Sequence, residues 1–112
     1  MKAMFIAYNQ AYNEEIVDLL AAHGQRGFTR WEDVEGKGGF NGYPRFGSHA
    51  WPEMNHALLV VMKDDKVEPL LAALKAKDEE APDLGLRAFV WGIETFYYFI
   101  IFVVAAFWAR HA

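Results

Sequence analysis

Two histidines and a glutamate, His49, Glu53 and His56, fall within eight residues of one another. Imidazole nitrogen and carboxylate oxygen are donors that suit zinc, copper, nickel or cadmium-like ions, so a divalent metal is one expectation for this segment. The two histidines, seven residues apart, are not the i,i+4 histidine pair of a helical metal site, and Pro52 stiffens the chain between them. The same three residues also read as ordinary polar groups of a loop and a strand start. A second set, Arg26, Arg30, Lys37, Arg45 and Arg87, offers positive charge to a small carboxylate, bicarbonate or a phosphate. Pairing with the chain's fifteen acidic residues is the competing use of those cations. Catalysis has thin support. Ser48 stands beside His49, but no third group completes a nucleophile-and-base arrangement. The glycines of GKGGFNG do not spell GxxxxGK[ST] and lead into no helix, so they signal backbone freedom and not a phosphate cradle. A non-enzymatic protein is expected.

Composition narrows the field. The 112 residues suffice for one domain, and 54% hydrophobic against 23% charged residues exclude disorder. With no cysteine there is no disulfide scaffold, no thiol nucleophile and no thiolate zinc site. The net charge is −4 and the basic residues are scattered, which argues against a nucleic-acid partner. MKAMFIAYNQ lacks the pattern of a signal peptide, so a cytoplasmic location is expected.

The elements that must position these groups follow from periodicity. KAMFIAY, residues 2–8, reads as a buried strand. Ile16, Leu19, Leu20 and His23 share a helical stripe, with Asn13 as the expected N-cap and Gly24 as the exit. Residues 27–35 mix β-formers with charges and read as a partly exposed strand, and residues 56–63 as a buried one. Asp65 and Glu68 resemble a capping box ahead of a second helix striped by Val67, Leu70, Leu71 and Leu74. After Pro82 and Gly85, residues 86–93 read as a fourth strand. The order β-α-β-β-α-β predicts an α+β, ferredoxin-like domain over residues 1–95: a four-stranded antiparallel sheet with both helices on one face. Trp31, Phe89 and Trp91 then point to a second face that meets another subunit.

Between the second and third strands the chain runs through GKGGFNGYPRFGSHAWPEMN, residues 36–55. Hairpins need only about 2–5 residues, and long irregular connections tend to be functional. Its four aromatic residues, Phe40, Tyr43, Phe46 and Trp51, suit a loop that docks into a partner or folds over a ligand.

The element order, the stretch GQRGFTRWEDVEGKGG and the long loop together resemble the nitrogen-regulatory P-II superfamily. The resemblance implies a homotrimer, ligand clefts between subunits, and a T-loop (here about residues 35–55) that inserts into a target such as a membrane transporter or a metabolic enzyme. The chain also departs from that pattern. Where the superfamily carries a Gly-Asp-Gly-Lys type phosphate loop, this chain has only Gly85 and Arg87, and Tyr43 sits in NGYPRF. Nucleotide binding and nucleotidylation are therefore not carried over.

Residues 96–109, FYYFIIFVVAAFWA, contain only hydrophobic types and hold seven of the chain's eighteen aromatic residues. As a helix they would reach about 21 Å, short of the ~30 Å core of a bilayer, so a conventional spanning helix is disfavoured. As a strand they would need cover. Burial in an assembly ranks first. The alternative function is accordingly an assembly module, natural or engineered, in which this run drives association into something larger than a trimer.

Overall fold

The computed structural model describes residues 1–37, 44–45 and 54–97. The element order is β1 (Lys2–Asn9), α1 (Asn13–Ala22), β2 (Thr29–Val34), β3 (Gly36–Lys37), β4 (Pro44–Arg45), β5 (Asn55–Met62), α2 (Val67–Glu80) and β6 (Arg87–Gly92). Short 3₁₀ turns at Gln10–Tyr12 and Asp64–Lys66 lead into the two helices. The main sheet has the order β2-β5-β1-β6, and every pairing in it is antiparallel. The predicted α+β, ferredoxin-like arrangement is thus the observed one.

Alternation along the strands divides the sheet. Met4, Ile6 and Tyr8 of β1 and Leu58, Val60 and Met62 of β5 are buried, together with Ile16 and Leu20 of α1 and Leu70 and Leu74 of α2. The helical stripes read from the sequence are therefore the faces that meet the sheet. Phe5, Leu59, Val61, Phe89 and Trp91 lie on the other face, and Trp31 joins them from β2, its ring centroid 6.4 Å from that of Phe5. Trp31, Phe89 and Trp91 remain 46%, 58% and 47% exposed, as a face without helices requires.

Three local expectations need correction. Asn13 is the first helical residue and not the cap of α1. Asn9 caps the preceding 3₁₀ turn instead, its side chain accepting from the Ala11 amide at 3.0 Å. Asp65 and Glu68 do not form a capping box, because Asp65 lies inside the second 3₁₀ turn and Lys66 caps α2 without a side-chain hydrogen bond. The connection after β2 is not wholly irregular: β3 and β4 pair antiparallel, with Gly36 opposite Arg45 and Lys37 opposite Pro44. Gly24, by contrast, takes φ +81 just beyond α1, a conformation that suits glycine at a helix exit.

Candidate functional site

β2 is an outer strand of the sheet, and its far end launches the long connection. Its backbone is irregular there. The register with β5 shifts between Trp31 and Val34, and Asp33 takes φ +52, where a non-glycine residue is uncommon. The bulge is held from β5: the Asp33 amide donates to Nδ1 of His56 at 3.3 Å. His56 in turn stands opposite Tyr8 in the β1–β5 register, their rings edge to face at 6.2 Å. The buried Tyr8 hydroxyl donates to Oδ1 of Asn13 at the start of α1. Burial pushes the Tyr8 phenol up to about 12, and the charge of Arg30 works in the opposite direction. A chain of side chains thus ties α1, β1 and β5 to the root of the loop.

Arg30 lies on β2 opposite Leu58. Its guanidinium carbon sits 5.9 Å from the centre of the Phe28 ring, and Nη2 contacts Oε1 of Glu32 at 2.8 Å. An aromatic floor and a neighbouring carboxylate hold this cation in place, although at an exposed site both are weak. Arg26 is exposed between α1 and β2. Arg87 opens β6, opposite Ala7, and is exposed as well. Lys37 and Arg45 occupy the short β3–β4 ladder at neighbouring register positions.

The five cations do not converge within one chain. β2 and β6 are the two outer strands, with β5 and β1 between them. Arg30 and Arg87 therefore belong to opposite rims.

Of the expected metal ligands, His56 is described, half-buried at the start of β5. His49 and Glu53 lie outside the described residues, as do Phe40, Tyr43, Phe46, Ser48 and Trp51. Among the described residues no group of three or more His, Asp or Glu side chains is arranged to hold a metal ion. His56 carries a constraint of its own, since the Nδ1 lone pair already accepts the Asp33 amide. An ion at that nitrogen would have to displace the amide, and one at Nε2 would have to displace the ring proton. Sequence reasoning did not find Tyr8 and Asp33 as neighbours of His56, nor Asn13 as the partner of Tyr8. The left-handed backbone at Asp33 leaves no mark in residue type, and Tyr8 reads only as a core position.

No family model and no curated protein matches the chain. Solved structures do. CPII from Thiomonas intermedia, a nitrogen regulatory PII-like protein bound to ADP, AMP and bicarbonate, is 24% identical with a TM-score of 0.67, covering 82% of this chain and 84% of that one. A second structure of CPII, bound to the same ligands, is 25% identical with a TM-score of 0.63, over 80% and 86% of the two chains. A PII-like signalling protein from Thermus thermophilus is 20% identical with a TM-score of 0.58, over 82% and 85%. The resemblance drawn from GQRGFTRWEDVEGKGG and the element order is matched in three dimensions, and the chain has the fold of the PII-like nitrogen regulatory proteins.

Proposed function

We propose that the chain is a non-enzymatic regulatory protein of the PII-like kind, acting in the cytoplasm as a homotrimer. A small anion binds at clefts between its subunits, and the connection at residues 35–55 reports occupancy to a target such as a membrane transporter. The observation that carries this reading is the placement of the cations at opposite rims of one sheet. A site that uses both Arg30 and Arg87 has to be completed by a second chain. The uncovered apolar face, with Trp31, Phe89 and Trp91 exposed, gives that second chain a surface to bury. Arg26 precedes β2 in the chain, and Lys37 and Arg45 follow it in the connection that leaves it, so an anion held by Arg30 together with these cations would bear on the loop.

ADP, AMP and bicarbonate, the ligands of the CPII structures, are the first probes, even though this chain lacks the Gly-Asp-Gly-Lys type loop. A metal at His49, Glu53 and His56 is the second reading. It is favoured by the position of His56 at the end of the loop, and binding through Nδ1 would free the Asp33 amide.

Light scattering and titration calorimetry test the proposal together. The full chain is expected to have the mass of three subunits, and Trp91→Glu to lower it. At least one of ADP, AMP and bicarbonate should bind, with Arg30→Ala and Arg87→Ala each weakening it about tenfold or more, as loss of a charge-assisted contact does. A monomeric full chain that binds none of these and no divalent metal refutes the reading.

A further inference from the structure

Of the apolar run at residues 96–109, Phe96 and Tyr97 are described and exposed, and the rest lies outside the described residues. The charged groups of β2 are described, and they show an anion already in place. Arg30 is a candidate anion ligand, and its guanidinium holds a carboxylate of its own chain: Nη2 lies 2.8 Å from Oε1 of Glu32. The two residues are two apart on one strand, a spacing that lets their side chains meet on one side of it. Their side chains are 32% and 57% exposed, so solutes reach the pair from water.

Glu32 presents to Arg30 what a small carboxylate, a bicarbonate or a phosphate would present, an oxyanion aimed at guanidinium N–H groups. The described contact joins one nitrogen to one oxygen. A guanidinium has five N–H donors and favours two parallel bonds to an oxyanion, so a ligand can engage Arg30 more fully than Glu32 does. An ion pair this exposed is weak and exchanges readily for a better partner. The Phe28 ring, 5.9 Å from the guanidinium carbon, is a contact that such an exchange leaves untouched.

Glu32 also stands where the strand loses its register. The last regular pair of β2 before the shift is Trp31 with Ala57, and pairing resumes at Val34 with Asn55. Between them Asp33 takes φ +52, its amide held by Nδ1 of His56 at 3.3 Å. We infer that Glu32 is a built-in competitor for the anion: its carboxylate occupies Arg30 until a ligand oxyanion displaces it, and the displacement is felt at the bulge from which the loop departs. This regulation rests on the reading of Arg30 as an anion ligand. Once a ligand holds the guanidinium, two negative groups, the ligand's and that of Glu32, compete for one cation. Glu32 then moves away, and the backbone it moves with lies outside the regular β2–β5 register. Occupancy and the root of the loop are thereby linked through one residue. The competition also lowers affinity, so the site answers to ligands that make more than one contact with Arg30 or that are abundant.

Titration calorimetry of bicarbonate and of ADP, each into the full chain and into Glu32→Gln at one pH and salt concentration, tests this. Glu32→Gln should bind at least one of the two about threefold or more tightly than the parent. Glu32→Ala should show the same gain, since the gain follows from loss of the charge. In an Arg30→Ala background the gain should vanish. The Asp33 amide, followed by nuclear magnetic resonance without ligand, should shift in Glu32→Gln in the direction that saturating ligand moves it in the parent. Matching circular dichroism and thermal midpoints verify the fold of each variant. Binding by the parent with no gain in Glu32→Gln overturns the inference and leaves the anion site standing. An equal gain with and without Arg30 overturns it too, because the effect is then one of net charge. Binding of neither probe by any variant refutes the anion site and this competition with it.

Discussion

The two faces of the sheet are built from nearly the same residues and meet opposite ends. Leu58 and Val60 are fully buried under the helices, while Val61, their neighbour on β5, is 38% exposed on the other side. Phe5 and Leu59 occupy the open face, where they are half-buried. Hydrophobicity alone does not separate these positions. Two helices cover one face, and the second face keeps the composition of a core while lacking its cover. Leaving it in water is costly, at roughly 25 cal/mol for each Å² of apolar surface that a neighbour would otherwise remove. Arg30 and Arg87, by contrast, are exposed on the two outer strands, where water reaches their side chains.

Substitution of adjacent leucines on β5 would break that comparison most sharply. Leu58→Ala opens a cavity under the helices and should cost about 2–5 kcal/mol. Leu59→Ala removes the same atoms from the open face and should cost less than about 1 kcal/mol in a dissociated chain. Urea unfolding of both variants at matched low protein concentration measures the difference. Equal losses would mean that the open face is already closed by the chain itself.

The second effect belongs to Tyr8, which faces the helices and is fully buried. Its phenol is raised from the ordinary 10.0 to about 12 because burial disfavours the anion. The folded state therefore holds this proton more tightly than the unfolded chain. The contribution is fully present below pH 10 and is lost as pH rises toward 12. It amounts to about 2–3 kcal/mol across that interval. Tyr8→Phe removes the titration, so its stability should fall less than that of the parent chain between about pH 9 and pH 12. Parallel curves for the two proteins would show that the phenol ionises without opening the core.

Asn9 gives a smaller effect at the junction of the two faces. It is the one buried polar residue among those described. Its side chain accepts from the Ala11 amide at 3.0 Å and donates to the Asp83 carbonyl at 3.1 Å. Asn9→Ala leaves both backbone groups short of a partner and should cost about 1–2 kcal/mol. Asn9→Asp keeps the acceptor for the turn but buries a carboxylate with one oxygen against the Asp83 carbonyl, so near neutral pH its thermal midpoint should fall at least as far as that of Asn9→Ala.

How much of this was legible beforehand depends on which physical signal each feature leaves. The strands and helices announce themselves by period, and Gly24 by its need for positive φ. The open face was readable from Trp31, Phe89 and Trp91, because large aromatics on charged or short strands have no place in a four-stranded core. The caps were misassigned because Asn9, Asn13, Asp65 and Glu68 all have cap-forming side chains, and only the 3₁₀ turns decide which ones are used. The division of the cations between opposite rims was invisible, because it depends on strand order and not on spacing. The bulge at Asp33, which joins His56 to the root of the loop, depends on a backbone conformation that residue type does not encode.

The smallest expected effect separates a surface contact from the buried ones. The amino group of Met1 lies 2.9 Å from Oδ1 of Asp64, ahead of α2. The hydrogen bond from that ammonium is the main reason the Asp64 carboxyl is held below its ordinary 3.8, with the ammonium charge and that of Lys2 adding to it, while partial desolvation acts against them. A carboxyl depressed in the folded state stabilises it above the unfolded value and loses that contribution as pH falls through the folded value. The window is therefore acidic, opposite to that of Tyr8. The pair is exposed, so water and salt screen it heavily. Asp64→Asn should leave the thermal midpoint near neutrality within about a degree or two of the parent, as is usual for an exposed pair. As pH falls well below 3.8, through the depressed folded value, the two midpoints should converge, because protonation then removes the charge that the substitution removes. Added salt should shrink the neutral-pH difference further. A difference that persists unchanged at low pH would mean that Asp64 acts through its shape in the 3₁₀ turn and not through its charge.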